Sequence, residues 1–151
     1  RPLDADFRQL LLDYLEPYRM MGHDLAIDEP ILVPLAIRIH ACAAPDAFAD
    51  KVRAALAARL SAGIAEDGQR GFFHPDNLSF GAEVYLSHIY AAALEVPGVA
   101  DVEICMFRRA GGADASAAGV LRFGPREIPV LANDPNHPGE GQLAIEVGGG
   151  R

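Results

Sequence analysis

Apolar residues recur at Leu3, Phe7, Leu10, Leu11, Tyr14 and Leu15, the spacing of an amphipathic helix, and Pro17 is expected to end it. Residues 24–28 read as a short strand, and Glu29-Pro30 as a break. The strongest β signal follows in residues 31–42. The odd positions Ile31, Val33, Leu35, Ile37, Ile39 and Ala41 are all apolar, whereas the even positions include Pro34, Arg38 and His40. One face of this strand is therefore expected to be buried and the other wetter. Pro34 cannot donate to a ladder, which places the start of the strand at a sheet edge.

Ala44-Pro45-Asp46 reads as a helix start, because Asp accepts from the free amides of a first turn and favours the positive end of the helix dipole. Phe48, Val52, Leu56 and Leu60 follow at spacing four, and Gly63 is the expected stop. This helix should pack on the odd face of the preceding strand. Residues 64–81, rich in Gly, Asp, Asn and Pro, form an 18-residue loop, longer than a compact domain usually leaves without regular structure. Val84-Tyr85-Leu86 reads as a short strand, and Ser87 as the cap of a helix running through Ile89, Ala92, Ala93 and Val96 to Pro97-Gly98. Residues 99–109 alternate again, with Val102, Ile104 and Met106 on one face and Asp101, Glu103, Cys105 and Phe107 on the other. The low-complexity stretch 111–119 reads as a flexible connector. Three short strands follow at 120–123, 127–131 and 143–147, and a Gly-rich end at 148–151 is expected to fray.

Strands alternating with helices and then running into strands predict an α+β fold, a two-layer sandwich of a small mixed sheet with helices on one face, plus a β-rich C-terminal tail. The expected organisation is an N-terminal helix over 1–23, an α+β core over 24–109, and a connector with a β-rich extension over 110–151. The chain opens with Arg1 inside a helical pattern, so it is expected to continue from an upstream domain.

Thirteen Lys and Arg against twenty-one Asp and Glu give a formal net charge of −8, with no basic cluster, which disfavours a phosphate backbone as partner. Apolar runs fall short of the roughly 18–20 residues that span a bilayer, and Asp4, Asp6 and Arg8 interrupt any signal-like start. Neither nucleic acid nor membrane is expected as a partner. Cys42 and Cys105 are too few and too far apart for a disulfide framework or a four-Cys zinc site, and both read as small buried hydrophobes.

Candidate chemistry is sparse. His23, His40, His74, His88 and His137 are scattered, and no HExxH, Cys-pair or His-x-His spacing points to a metal. Gly111-Gly112 lacks the following glycine and helix of a nucleotide cradle, and Ser61, Ser79, Ser87 and Ser116 have no nucleophile-elbow context. Glu66-Asp67 beside Gly68 reads as a solvated turn rather than an acid/base pair. No catalytic residue, metal or cofactor is expected. Phe72-Phe73-His74-Pro75, Phe80, Phe107 and Phe123 instead put bulky rings outside the regular core pattern, where they either pack a loop down or contact another chain.

The run GFFHPDNLSFGAEVYLSHIYAAALEVPGVADVEICMFRR, residues 71–109, resembles the C-terminal region of the baseplate J-like assembly proteins, wedge components of contractile phage tails and related injection systems. LEPYRMMGHDLAI at 15–27, the PLAIRIHACA strand, and residues 119–150 extend the resemblance over nearly the whole chain. It implies a structural, non-enzymatic role joining wedge subunits during assembly, with other wedge subunits and hub or sheath proteins as partners and self-association as an option. It also implies assembly in the bacterial cytoplasm, as part of a phage tail or a phage-tail-like particle. The low-complexity segment 111–119 departs from the family pattern.

Phe72, Phe73, His74, Phe80 and Tyr85, around the long loop, are the expected interface residues. The competing expectations are a small ligand- or metal-binding enzyme domain in which His74, Asp76 and His88 converge under the loop as a lid, and a free-standing cytosolic adaptor that binds one partner peptide at a sheet edge.

Overall fold

The structure, a computed structural model, describes residues 3–65, 67–134 and 136–150. The chain divides into two compact units, Arg1–Ile31 and Leu32–Arg151.

In the first unit, α1 (Ala5–Leu15) starts where the Asp4 side chain accepts from the Phe7 amide at 2.7 Å. A 3₁₀ turn, Glu16–Tyr18, then carries Pro17 at its first turn, where a missing N–H costs nothing. Arg19 fastens the following turn, donating to Glu16 Oε1 and to the His23 carbonyl. None of the residues of α1 is buried, and Leu10, Tyr14 and Tyr18 lie exposed. The strand expected at 24–28 does not form: these residues carry no regular structure and pair with no other strand. An extended segment without a neighbour gains no ladder hydrogen bonds.

The second unit is built on β1 (Ile31–Ala43), whose alternation from Val33 to Ala43 buries every odd position. The other elements are α2 (Ala49–Arg59), β2 (Val84–Tyr85), α3 (Leu86–Leu94), β3 (Val99–Arg109), β4 (Val120–Leu121), β5 (Glu127–Val130) and β6 (Gln142–Gly149). β1 is the centre of a four-stranded sheet: β3 runs antiparallel along one side, while β5 and the parallel β6 occupy the other. A second sheet pairs β2 with β4. α2 lies over β6 and α3 over β3, so the odd residues of β1 sit beneath the seam between the helices. The fold is α+β, with a mixed sheet and its helices packed on the apolar face. β6 is a member of this main sheet.

Several local expectations are corrected. Pro34 does not mark an edge, since β1 is the central strand. Pro34 lies level with the end of β3, where its carbonyl accepts from Ala110 at 2.8 Å. The N-cap positions of α2 and α3 are Phe48 and Tyr85, neither with a side-chain cap, so neither Asp46 nor Ser87 has the expected capping role. Phe48 is 52% exposed and lies under the Lys51 ammonium rather than in the core.

The alternation of β3 breaks in the middle. Arg38 faces Met106, but the next residue, Ile39, faces Ile104, so Cys105 is an extra residue in a β-bulge. The bulge shifts the inward set from even to odd positions. Phe107, expected on the wet face, is therefore 0% exposed in the core, and Phe123 is buried as well. Both cysteines are exposed instead of buried: Cys42 occupies an even, outward position of β1 and Cys105 the bulge.

Residues 111–119 are not a loose connector. The Phe107 amide donates to Asp114 Oδ1 at 2.9 Å, the Ala115 amide donates to the Phe107 carbonyl at 2.8 Å, and the Ser116 hydroxyl donates to the same Asp114 oxygen. The Phe107 N–H and the Ser116 hydroxyl hold the Asp114 carboxyl below its ordinary value.

Candidate functional site

The long loop is clamped to the end of α2 by its own backbone. The Phe72 amide donates to the Arg59 carbonyl, Phe73 to Ser61, and Gly71 to Gly63, while Ile64 and Arg70 form an isolated bridge. The approach is so close that a Cβ on Gly71 would stand 2.1 Å from the Ser61 carbonyl oxygen, which admits only glycine. Phe73 follows at once and is 1% exposed, its ring edge-on to Phe72 with centroids 4.9 Å apart. Phe73 thus anchors the loop in the core and presents no surface to another chain. Phe72 is half-buried against that core.

His74 ends the anchored stretch. Its Nδ1 accepts from the Asp76 amide at 3.2 Å and caps a 3₁₀ turn, Pro75–Asn77, while its side chain is only 16% exposed. Asp76 in turn pairs with Arg70 at 3.2 Å, and the Asn77 side-chain amide donates to the Gly71 carbonyl. These contacts close the loop on itself. Glu66 lies outside the described residues, and Asp67 accepts from the Gln69 amide as a turn residue does.

Beside the loop lies a groove of about 320 Å³, lined by Arg59, Phe72, Asn77, Leu78, Glu83, Val84, Tyr85 and His88. Its floor is fixed by Val84, which is buried and pairs with Leu121 across the small sheet. Its rim is polar. The Tyr85 hydroxyl donates to Glu83 Oε2 in a short hydrogen bond, and Arg122 Nε donates to Glu83 Oε1 at 2.8 Å. The hydrogen bond from Tyr85, together with Arg122, lowers the Glu83 carboxyl below its ordinary value, and the same hydrogen bond, then the Glu83 charge, pushes the Tyr85 phenol up. Tyr85 thus stays protonated as a donor, with its ring 5.3 Å from that of His88 and 41% exposed. Phe80 is 58% exposed.

Of the expected interface residues, Phe80 and Tyr85 are on the surface, Phe72 and His74 are largely covered, and Phe73 is interior. The enzyme-like set does not assemble. His88 lines the groove with its ring tilted against Tyr85, whereas His74 and Asp76 bond each other, and Asp76 pairs with Arg70, outside that lining. Among the described residues, no group of three or more His, Cys, Asp or Glu side chains is placed to hold a metal ion.

Sequence reasoning missed the groups that lock this region. Arg109 reaches from the end of β3 to Glu127, with contacts of 3.1 and 2.8 Å to its two carboxylate oxygens. The same guanidinium lies 4.8 Å from the Phe123 ring centroid and donates to the Arg122 carbonyl. Glu127 also accepts from the Gly124 amide at 2.7 Å, and Arg109 first and this amide second draw its carboxyl below the ordinary value. The two residues lie 18 apart, and β3 ends in two arginines, Arg108 and Arg109, so no local pattern singled out this pair. The arrangement sets the partly exposed Tyr85 ring, its hydroxyl held by Glu83, at the side of an open groove, which suits recognition of another surface. Compared with known proteins, the chain matches no family model and no curated sequence. No helix among the described residues is long and apolar enough to cross a membrane.

Proposed function

We propose that this chain is a structural component of the baseplate of a contractile tail or phage-tail-like injection system, joining wedge subunits during assembly. The observation that carries the reading is the exposure of Phe80 and of Tyr85, the latter lining the groove, within the stretch 71–109 that resembles the baseplate J-like proteins. Aromatic side chains with few rotatable bonds supply contact area at low entropic cost, and the loop beneath them is fastened before a partner arrives. The exposed apolar residues Leu10, Tyr14 and Tyr18 of the first unit support the same reading, because large apolar side chains gathered on one short segment favour contact with another protein. The partners in this reading are other wedge subunits, with hub or sheath proteins as further neighbours, and the place of assembly is the bacterial cytoplasm.

The test is copurification. Tail-like particles isolated from the native host by density sedimentation should contain this chain among sheath, tube and spike proteins, by mass spectrometry. A Phe80→Ala, Tyr85→Ala double variant should fold with unchanged circular dichroism and be depleted from the particles. Particles that lack the wild-type chain, or sheath, tube and spike genes missing from its genomic surroundings, would overturn the reading.

A further inference from the structure

The two long sides of the main sheet are finished differently. Main-chain groups on a strand point alternately to either side, so the outward set of an edge strand can be read from its local bonds. On β3, the outward amide of Ile104 donates to the Tyr90 hydroxyl at 3.0 Å, and the outward amide and carbonyl of Phe107 are taken by Asp114 and Ala115. Between Ile104 and Phe107 that edge is covered by its own chain, the usual protection against unwanted pairing.

On β6, the Leu143 amide donates to Asn133 Oδ1 at 2.9 Å and not to β1, which marks the odd residues as the outward set. Ile145 and Val147 follow with the same parity. Among the described residues, β6 pairs with β1 alone, so the amides and carbonyls of these two residues face outward at a sheet edge with no strand beside them. Their side chains are half-buried against the core, and the same edge borders a groove of about 380 Å³. Asp50, Arg53, Ala54 and Ala57 of α2 form one wall, and Leu143 and Ile145 the other. A strand laid along β6 would bond Ile145 and Val147 through its backbone and direct every second side chain over the short alanines of α2.

We infer that β6 is an acceptor edge for one extended segment of a partner protein, with small or branched aliphatic residues at alternate positions and Lys or Arg between them. Charge complementarity selects this occupant. The in-between side chains would lie on the open face of the sheet, where Glu146 of β6 is exposed and where Glu103 and Glu146 flank His40 in register and Asp101 faces Cys42, with Arg38 as the exposed guanidinium. A cationic side chain beside Glu146 is favoured as a cross-strand pair, whereas a second copy of a chain of net charge −8 brings like charge. This inference stands on the edge geometry and does not depend on the baseplate reading.

The test uses the whole chain, isotopically labelled, and capped eight-residue peptides of alternating valine and lysine, or valine and glutamate, read by fluorescence anisotropy and amide exchange. The Val/Lys peptide should bind at least tenfold more tightly than the Val/Glu peptide, and it should slow exchange at Ile145 and Val147. N-methylation of alternate peptide amides should abolish binding, and Glu146→Lys should reverse the charge preference. Val147→Pro, which removes an outward N–H and leaves the β1 ladder intact, should weaken binding at least tenfold. Absence of binding, binding indifferent to N-methylation, or Ile145 and Val147 amides already protected in a self-associated free protein would each overturn it.

Discussion

Truncating Phe107 to alanine separates two readings of β3. With strict alternation, Met106 would belong to the core and Phe107 to solvent; with the bulge at Cys105, Phe107 is 0% exposed and Met106 half-buried. Removing a fully buried phenyl ring forfeits its transfer free energy and leaves a cavity that the sheet above and the helices below cannot close, for a cost of about 3–5 kcal/mol. The native main-chain bonds of Phe107 to Asp114 and Ala115 hold the strand in place, so little relaxation is expected to offset that loss. For a domain of about 150 residues, the cost corresponds to a fall in Tm of roughly 6–20 °C, a large part of a typical stability of about 5–15 kcal/mol. Urea unfolding followed by circular dichroism, on Phe107→Ala and Met106→Ala in parallel, measures both at constant m-value. A larger loss for Met106→Ala than for Phe107→Ala would refute the bulge and with it the inward turn of this strand.

Gly71→Ala should destabilise by about 1–3 kcal/mol in the same assay, because the new Cβ would meet the Ser61 carbonyl at 2.1 Å and force the loop off α2. Native protein should give two thiols per chain to a disulfide reagent without denaturant, since Cys42 and Cys105 are both exposed; slow reaction until unfolding would contradict this. The urea midpoint should fall on acidification. Glu127, Glu83, Asp114 and Asp134 all have lowered folded values, so the unfolded chain binds more protons as pH drops. Their contribution is present above the ordinary value of 4.5 for glutamate and is lost as pH falls through the folded values, and Glu127→Gln should flatten this dependence. Tyr85 has the opposite sign. Its raised phenol stabilises below its ordinary value of 10.0 and is lost as pH rises through the folded value, a loss that Tyr85→Phe should remove.

Legibility followed how local each interaction is. The odd face of β1 could be read because period two persists from Val33 to Ala43 and every odd residue there meets the core. The same parity, applied to Cys42, would have placed that thiol in solvent; a residue-type preference for burial outweighed a positional signal that was present. In β3 the period changes phase at a single residue, and no composition marks Cys105 as a bulge, so Phe107 was misplaced, whereas Cys105 lies on the exposed side that the alternation gave it. Segment 111–119 looks loose because Gly, Ala and Ser dominate it, yet one carboxylate, Asp114, ties it to a β3 amide seven residues upstream. The surface site lay further out of reach. Tyr85, Phe80 and the loop anchors are close in sequence and were marked by their rings, but the polar lock joins Glu83 to Arg122 across 39 residues and Arg109 to Glu127 across 18. Such pairs leave no periodic trace, since each needs only one charge at one place in a finished fold. The open edge of β6 is the extreme case: its chemistry belongs to backbone groups that every residue carries, and only the sheet order reveals which of them face outward without a strand beside them.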